Sequence, residues 1–129
     1  MNYELIPHDV RQFVLDRIDS VAHLEALLLL RSKPDEEWSC QAVANRLYID
    51  QRQTAELLTH LHADGFVTAT AGQSPVYRYQ PASMELQQMV DRLAQIYSKH
   101  LVPITNLIHS KPKKRVQEFA DAFRLRKDK

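Results

Sequence analysis

Glycine and cysteine are both scarce in this chain of 129 residues. It contains two glycines, Gly65 and Gly72, and one cysteine, Cys40. A single cysteine excludes an internal disulfide and a zinc site built from cysteines. So few glycines argue against a loop-rich or strongly β structure. A length of 129 residues suits one domain with a modest hydrophobic core.

Long apolar runs and a targeting signal are also lacking. No apolar run approaches the roughly 20 residues that a membrane-spanning helix needs. The first residues, MNYELIPHDV, lack the basic and then apolar order of a signal peptide. Apolar residues make up 44% and charged residues 26% of the chain, which is ordinary for globular proteins. We expect a cytoplasmic protein, with a bacterium as the default source.

The small net charge of +1 conceals an asymmetry along the chain. Residues 111–129 contain eight basic and three acidic side chains, a balance of +5, whereas the other 110 residues have a balance of −4. This pattern predicts a mildly acidic body with a basic C-terminal tail. If the tail binds DNA phosphates, its candidate contacts are Lys111, Lys113, Lys114 and Arg115.

Two other interpretations of the tail remain open. It is either a solvated end, or a short helix over about 114–125 that docks through Val116, Phe119 and Phe123 while its basic residues stay in solvent. Aromatic residues are rare in disordered segments, so the two phenylalanines count against a purely disordered tail. We favour docking, with phosphate binding as the second interpretation.

Two short helices separated by a tight turn are predicted near the middle of the chain. Ser39 is a suitable N-cap for a helix over 40–47. Asp50 is a suitable N-cap for a longer helix over 51–63, whose apolar positions recur every three or four residues. Gly65 then occupies the place where glycine commonly ends a helix.

A β-hairpin follows these helices. Residues 66–70 and 76–79 have strand-like composition, and 71–75 has the composition of a turn. Residues 36–39 can supply a short strand ahead of the two helices. Two short helices followed by a hairpin give the order of a winged helix-turn-helix.

The junction between the second helix and the hairpin resembles that of MarR-like and ArsR-like bacterial regulators. Their recognition helix ends in the pattern Leu-x-x-x-Gly-(Leu/Phe)-Val. The matching run here is Leu61-His62-Ala63-Asp64-Gly65-Phe66-Val67. The resemblance implies a winged-helix fold and a bacterial transcriptional regulator that reads duplex DNA through the helix at 51–63.

The helix at 51–63 is predicted to expose six polar side chains, which are candidate DNA contacts: Gln51, Arg52, Gln53, Glu56, Thr59 and His60. Glutamine and arginine read adenine and guanine edges, and Arg78 in the hairpin is a further candidate. Any solvated helix face carries similar residues, however. The wing tip has no lysine or arginine, and residues 34–81 have a balance of −3, which is unfavourable for phosphate binding. The alternative function is a non-enzymatic protein-interaction winged helix with weak or no DNA binding.

Helices are also predicted before this unit. Pro7 suits the first turn of one helix, which carries an apolar stripe as far as Ile18. A second helix over 21–31 is apolar almost all round, which is typical of a helix at the centre of a core.

A long amphipathic helix is predicted over 83–110, and Pro103 should kink or break it at 100–102. We expect its apolar stripe to join two subunits, because few other elements remain to cover it. The stripe consists of Leu93, Ile96, Tyr97, Leu101, Ile104, Leu107 and Ile108. In the intramolecular alternative, the kink folds the last turns back on 21–30, and Phe119 and Phe123 close the gap.

The predicted fold is therefore mainly α, within the α+β class: a winged helix-turn-helix with a small β-hairpin wing and a long C-terminal helical extension. Residues 1–82 form the winged-helix domain, with the helix-turn-helix at 40–64 and the wing at 66–80. Residues 83–110 form the dimerisation helix, and the basic tail follows.

No catalytic or metal-binding constellation is recognisable. His60 and His62 are two residues apart in a helix, so they point to different faces. Cys40 lies near a predicted helix N-terminus, where a thiol pKa is lowered. Cys40 therefore has two interpretations: a redox-sensing thiol, or a small buried apolar side chain. No phosphate-binding loop or nucleophile motif is present, and we expect a non-enzyme without cofactor or metal.

Overall fold

The structure is a computed structural model that describes residues 5–110, so the basic tail and its predicted helix lie outside the described residues. The elements in chain order are α1 (His8–Arg17), α2 (Val21–Ser32), β1 (Trp38–Ser39), α3 (Cys40–Leu47), α4 (Gln51–Ala63), β2 (Val67–Ala69), β3 (Val76–Tyr79), α5 (Met84–Lys99) and α6 (Leu101–His109). Within the described part, no helix combines the length and the apolar character needed to cross a membrane.

Side-chain caps start four of these helices. Ser20, Ser39, Asp50 and Ser83 each accept a hydrogen bond from the backbone N–H three residues later. Each such cap stabilises its helix by about 1 kcal/mol. The predicted caps of α3 and α4, Ser39 and Asp50, are confirmed.

The three strands form an antiparallel sheet in the order β1–β3–β2. Trp38 of β1 pairs with Tyr77 of β3, and Val67 of β2 pairs with Tyr79 of β3. The central strand β3 therefore holds the hairpin and the short first strand together. The predicted order of two helices followed by a hairpin, with a short strand ahead, is confirmed.

Helix α2 lies at the centre of the core, as its composition predicts. Leu24, Ala26, Leu27 and Leu30 are all 0% exposed. The helix contacts α3, α4 and β3. Burying a leucine side chain contributes roughly 1.5–3 kcal/mol. One apolar helix thus fixes the positions of both helices of the helix-turn-helix and of the central strand.

The C-terminal helical region breaks at His100, where the effect of Pro103 was predicted. Helix α5 ends at Lys99, and α6 begins at Leu101. Pro103 is the third residue of α6, in the first turn, where a missing N–H removes no intrahelical hydrogen bond. The break lets α6 leave the direction of α5 and pack against both α1 and α5.

This packing covers most of the predicted dimer stripe within one chain. Five of its seven members are buried: Leu93, Tyr97, Ile104, Leu107 and Ile108. Ile96 is half-buried, and Leu101 stays 53% exposed. The expectation that few elements remain to cover the stripe is therefore wrong. The intramolecular alternative describes the fold better, with α1 rather than α2 as the principal helix against α6.

Polar contacts also fasten α5 to the two N-terminal helices. Arg92 forms an ion pair with Asp9, in which the Arg92 Nη2 to Asp9 Oδ1 distance is 3.1 Å. The Tyr97 hydroxyl donates to Glu25 Oε2 at 2.7 Å. Burial and the neighbouring Glu25 carboxylate raise the pKa of Tyr97 to about 12, so the hydroxyl keeps its proton beyond the pH at which an ordinary tyrosine ionises.

Helices α3 and α4 end in the same backbone arrangement. In each, an N–H just beyond the helix donates to the carbonyl five residues earlier, at 3.2 Å for α3 and 3.0 Å for α4. In both cases the residue immediately before the N–H donor has positive φ: Gly65 (φ 82°) after α4, and Tyr48 (φ 58°) after α3. This conformation suits glycine but costs a residue with a Cβ roughly 1–2 kcal/mol. Tyr48 is 94% exposed, so little packing within the chain offsets its strain.

Replacing Tyr48 with glycine should raise the free energy of unfolding by about 0.5–1 kcal/mol. Relief of strain should outweigh the extra freedom that glycine gives the unfolded chain. The thermal midpoint, followed by circular dichroism, should rise by a few degrees. Tyr48→Ala is the matched control, because it removes the exposed ring but keeps the Cβ. A midpoint for Tyr48→Gly below that of Tyr48→Ala would contradict the strain.

Candidate nucleic-acid interface

The inward face of α4 determines which of its residues reach solvent. Thr54, Leu58 and Leu61 recur at helical spacing and are each 0% exposed. The opposite face is therefore open. All six side chains predicted there are exposed: Gln51, Arg52, Gln53, Glu56, Thr59 and His60.

The start of α4 is fixed by hydrogen bonds to the turn before it. The Asp50 carboxylate accepts from the Gln53 N–H at 2.7 Å. The Thr54 hydroxyl donates to the Asp50 carbonyl at 2.8 Å. These bonds hold the first turn of the helix, and with it the backbone that carries Arg52, in a defined position.

One flank of α4 faces the connection between α1 and α2. Asp19, Gln53, Glu56 and His60 line a shallow cleft there. His60 Nδ1 lies 3.3 Å from Asp19 Oδ2. Two carboxylates, those of Asp19 and Glu56, therefore border this flank. They disfavour an approaching phosphate and leave His60 with a protein partner.

A second histidine is packed directly beneath this flank. His23 is 1% exposed, and its ring meets the His60 ring edge-on at 6.3 Å between centroids. Its Nδ1 accepts a hydrogen bond from the Asp19 N–H at 3.0 Å. His23 is thus a core residue.

The other flank of α4 faces the wing. A cleft of about 390 Å³ separates them, and its lining carries no charged side chain: Ser39, Cys40, Gln41, Gln51, Ala55, Gln73, Ser74, Pro75 and Tyr77. Amides and hydroxyls dominate the polar part of this lining. The hairpin tip and the N-terminal half of α4 therefore border one neutral, hydrogen-bonding groove.

Arg78 lies apart from the other candidate contacts. It alternates along β3 with Tyr77 and Tyr79, which are buried, so its side chain points to the solvent face of the sheet. Its Nη2 is 3.9 Å from Glu37 Oε2, and it lines neither of the two clefts beside α4. The structure thus groups the six residues of α4 and leaves Arg78 outside the group.

Arg52 differs from Arg78 in having no carboxylate partner among the described residues. Within residues 5–110, no carboxylate lies within 4 Å of its guanidinium, whereas Arg17, Arg31 and Arg92 each form an ion pair. Because the side chain is exposed in the first turn of α4, its five N–H donors remain available to an external acceptor.

Two further features near α4 escaped the sequence interpretation. Arg46 of α3 stacks over the Trp38 ring at 5.7 Å, which ties the helix to β1. Tyr48 occupies the turn between α3 and α4 with positive φ and an exposed ring. The available signal was the position of Tyr48 just past a helix end and just before a strong N-cap, where glycine is usual.

Cys40 does not have the activated thiol that its place near a helix start suggested. Its side chain is half-buried, and the Sγ–H donates to the Gln51 carbonyl at 3.3 Å. Burial raises the pKa of the Cys40 thiol, so the predicted lowering is wrong in direction. Desolvation outweighs the helix terminus here. Among the residues that the structure describes, no group of three His, Cys, Asp or Glu side chains could hold a metal ion.

Comparison with known proteins gives matches in structure only. No protein-family model matches the sequence, and no curated protein does. One similar solved structure is named "Possible transcriptional regulator from Methanosarcina mazei Go1", with a TM-score of 0.52 and 15% identity over 72% of this chain and 80% of that one. Another is transcriptional regulator Tm0710 from Thermotoga maritima, with a TM-score of 0.51 and 14% identity over 93% of this chain and 87% of that one. The chain has a winged-helix fold.

The raised pKa of Cys40 predicts slow alkylation of the native protein. At pH 8, iodoacetamide should modify the folded chain more slowly than the urea-unfolded chain, because less thiolate is present. The native rate should still be rising at a pH where the unfolded chain has reached its plateau. Mass spectrometry gives the extent of modification directly, since the chain has one cysteine. If the alkylation rate of the native protein is already maximal at neutral pH, the raised pKa of Cys40 is contradicted.

Proposed function

We propose that this protein is a transcriptional regulator that binds duplex DNA through α4. The observation that carries the proposal is the open polar face of α4, whose first turn holds Arg52 with no carboxylate within 4 Å among residues 5–110. The similarity to two structures named as transcriptional regulators supports it. A recognition helix of this kind lies in the major groove and contacts base edges with its N-terminal residues.

The residues of α4 have distinct roles in this proposal. The guanidinium of Arg52 pairs with the O6 and N7 atoms of a guanine, and the amides of Gln51 and Gln53 pair with adenine edges. Glu56 accepts from a cytosine amino group, while Thr59 and His60 lie further along the groove. The neutral cleft beside the wing leaves room for a sugar–phosphate backbone.

The basic tail supplies the positive charge that the winged-helix unit lacks. Residues 34–81 have a balance of −3, and residues 111–129 have a balance of +5. We propose that Lys111, Lys113, Lys114 and Arg115 contact phosphates and provide much of the salt-dependent part of the affinity.

A second candidate function is protein binding by the same face. It is favoured by the carboxylates of Glu56 on α4 and of Asp19 beside it, and by the pairing of Arg78 with Glu37. These features lower the attraction for phosphate and suit a partner with basic side chains. The two functions differ in a simple respect, because only the first requires tight, salt-sensitive binding to a duplex.

The dimer in the proposal rests on a smaller surface than the sequence suggested. Leu101 and Val102 are 53% and 58% exposed at the start of α6. We propose that they meet the same residues of a second copy across a two-fold axis. Such a pair would present two copies of α4 to two half-sites on DNA.

Replacing Arg52 with alanine should weaken specific DNA binding by about 1–3 kcal/mol, the usual contribution of a bidentate guanine contact. The measurement is fluorescence anisotropy on a duplex selected from a random pool by the native protein. Arg92→Ala on α5 is the control, since it removes an equal charge away from α4. If Arg52→Ala binds DNA with the native affinity, Arg52 does not contact a base. Failure of the native protein to bind any duplex at low salt rejects DNA binding in favour of protein binding.

Light scattering tests the dimer. At tens of micromolar the native protein should have the mass of a dimer, and Leu101→Asp should convert it to a folded monomer, because a carboxylate cannot be buried unpaired in the interface. Met84→Asp is the control, since Met84 is also exposed but lies on α5. A native monomer at this concentration would reject the dimer.

A further inference from the structure

The turn between α3 and α4 contains an exposed side chain in an unfavourable backbone conformation. Tyr48 has φ of 58° and is 94% exposed, whereas the equivalent place after α4 is filled by Gly65. The fold therefore accepts glycine at this kind of helix end. A residue with a Cβ is strained in this conformation, and within residues 5–110 the Tyr48 ring gains almost no burial in return. Such strain at an exposed side chain is a reason to look for a contact outside the described chain.

The position of Tyr48 suggests what the ring meets. It lies two residues before Asp50, the N-cap of α4, and four residues before Arg52. In helix-turn-helix complexes the second helix lies in the major groove and the first helix crosses the DNA backbone. We therefore expect the turn that joins the two helices to lie at the edge of the groove. That edge is formed by the sugar–phosphate backbone rather than by bases.

We propose that Tyr48 binds the DNA backbone beside the groove that α4 occupies, with its hydroxyl donating to a phosphate oxygen and its ring packing on a deoxyribose. This inference rests on the proposed function. Tyrosine hydroxyls are among the ordinary phosphate contacts of DNA-binding proteins. The contact fixes the register of α4 on the duplex and does not itself read sequence.

A neutral donor suits the electrostatics of this face. Two cations, Arg78 on the sheet and Arg17 at the end of α1, are paired with the carboxylates of Glu37 and Asp64. Arg52 has no such partner within residues 5–110, but the proposed function assigns it to a base edge rather than to a phosphate. A hydroxyl can bind phosphate without first leaving an ion pair. Because it carries no charge, it also releases no counterion when it does so.

Tyr48→Phe is the decisive variant, since it keeps the ring and removes the hydroxyl. It should weaken binding roughly tenfold, as expected for a hydrogen bond to a charged group. The loss should be equal for the selected duplex and for a random duplex, because a phosphate contact carries no sequence information. The slope of log affinity against log salt should stay at the native value, since no charge is lost.

Tyr48→Gly provides the second measurement. It should lose at least as much affinity as Tyr48→Phe while its thermal midpoint rises, so a loss of folding cannot explain the weaker binding. Affinity equal to native in both variants would overturn the Tyr48 contact and leave DNA binding by α4 intact. A changed salt slope, or a loss confined to the selected duplex, would also overturn it. Absence of duplex binding by the native protein would overturn both this inference and the proposed function.

Discussion

The packing of α4 on α2 is the constraint on which the candidate interface depends. Thr54, Leu58 and Leu61 are completely buried, and a helix buried along one face must present the other to solvent. Because α2 contacts both α3 and α4, its leucines also set the angle between the two helices of the helix-turn-helix. Loosening this core would move the side chain of Arg52 relative to the wing. The geometry of the candidate interface therefore depends on the packing of the core.

The parts of the fold that were predictable from sequence are those with local causes. Ser39 and Asp50 satisfy free N–H groups at helix starts, and Gly65 takes a conformation that other residues avoid. Each signal acts within a few residues, which is why the bounds of α3 and α4 agree with the prediction. The exposed face of α4 follows from the same helical period, so it too was predictable.

The features that were missed depend on contacts between distant parts of the chain or oppose local preference. Helix α6 is covered by α1, and residues so far apart in sequence give no periodic signal of their meeting. Asp19 and His60 meet across 41 positions, which no motif records. The pKa of the Cys40 thiol is set by burial rather than by its place near a helix start. Tyr48 stands where propensity favours glycine, and such local conflicts are where function most often overrides folding preference.

The distribution of charge divides the proposed work between two parts of the chain. Residues 5–110 contain nine arginines and lysines, and at least five of these lie within 4 Å of a carboxylate of the same range: Arg17, Arg31, Lys33, Arg78 and Arg92. A paired cation must give up its partner before it gains from a phosphate, so the body attracts DNA weakly. The DNA contacts proposed for the body are hydrogen bonds from Arg52 and from neutral amides, which discriminate between bases better than they attract phosphate. In the proposed function, attraction is assigned to the basic tail. A regulator built in this way would separate the step that concentrates it on DNA from the step that selects a site.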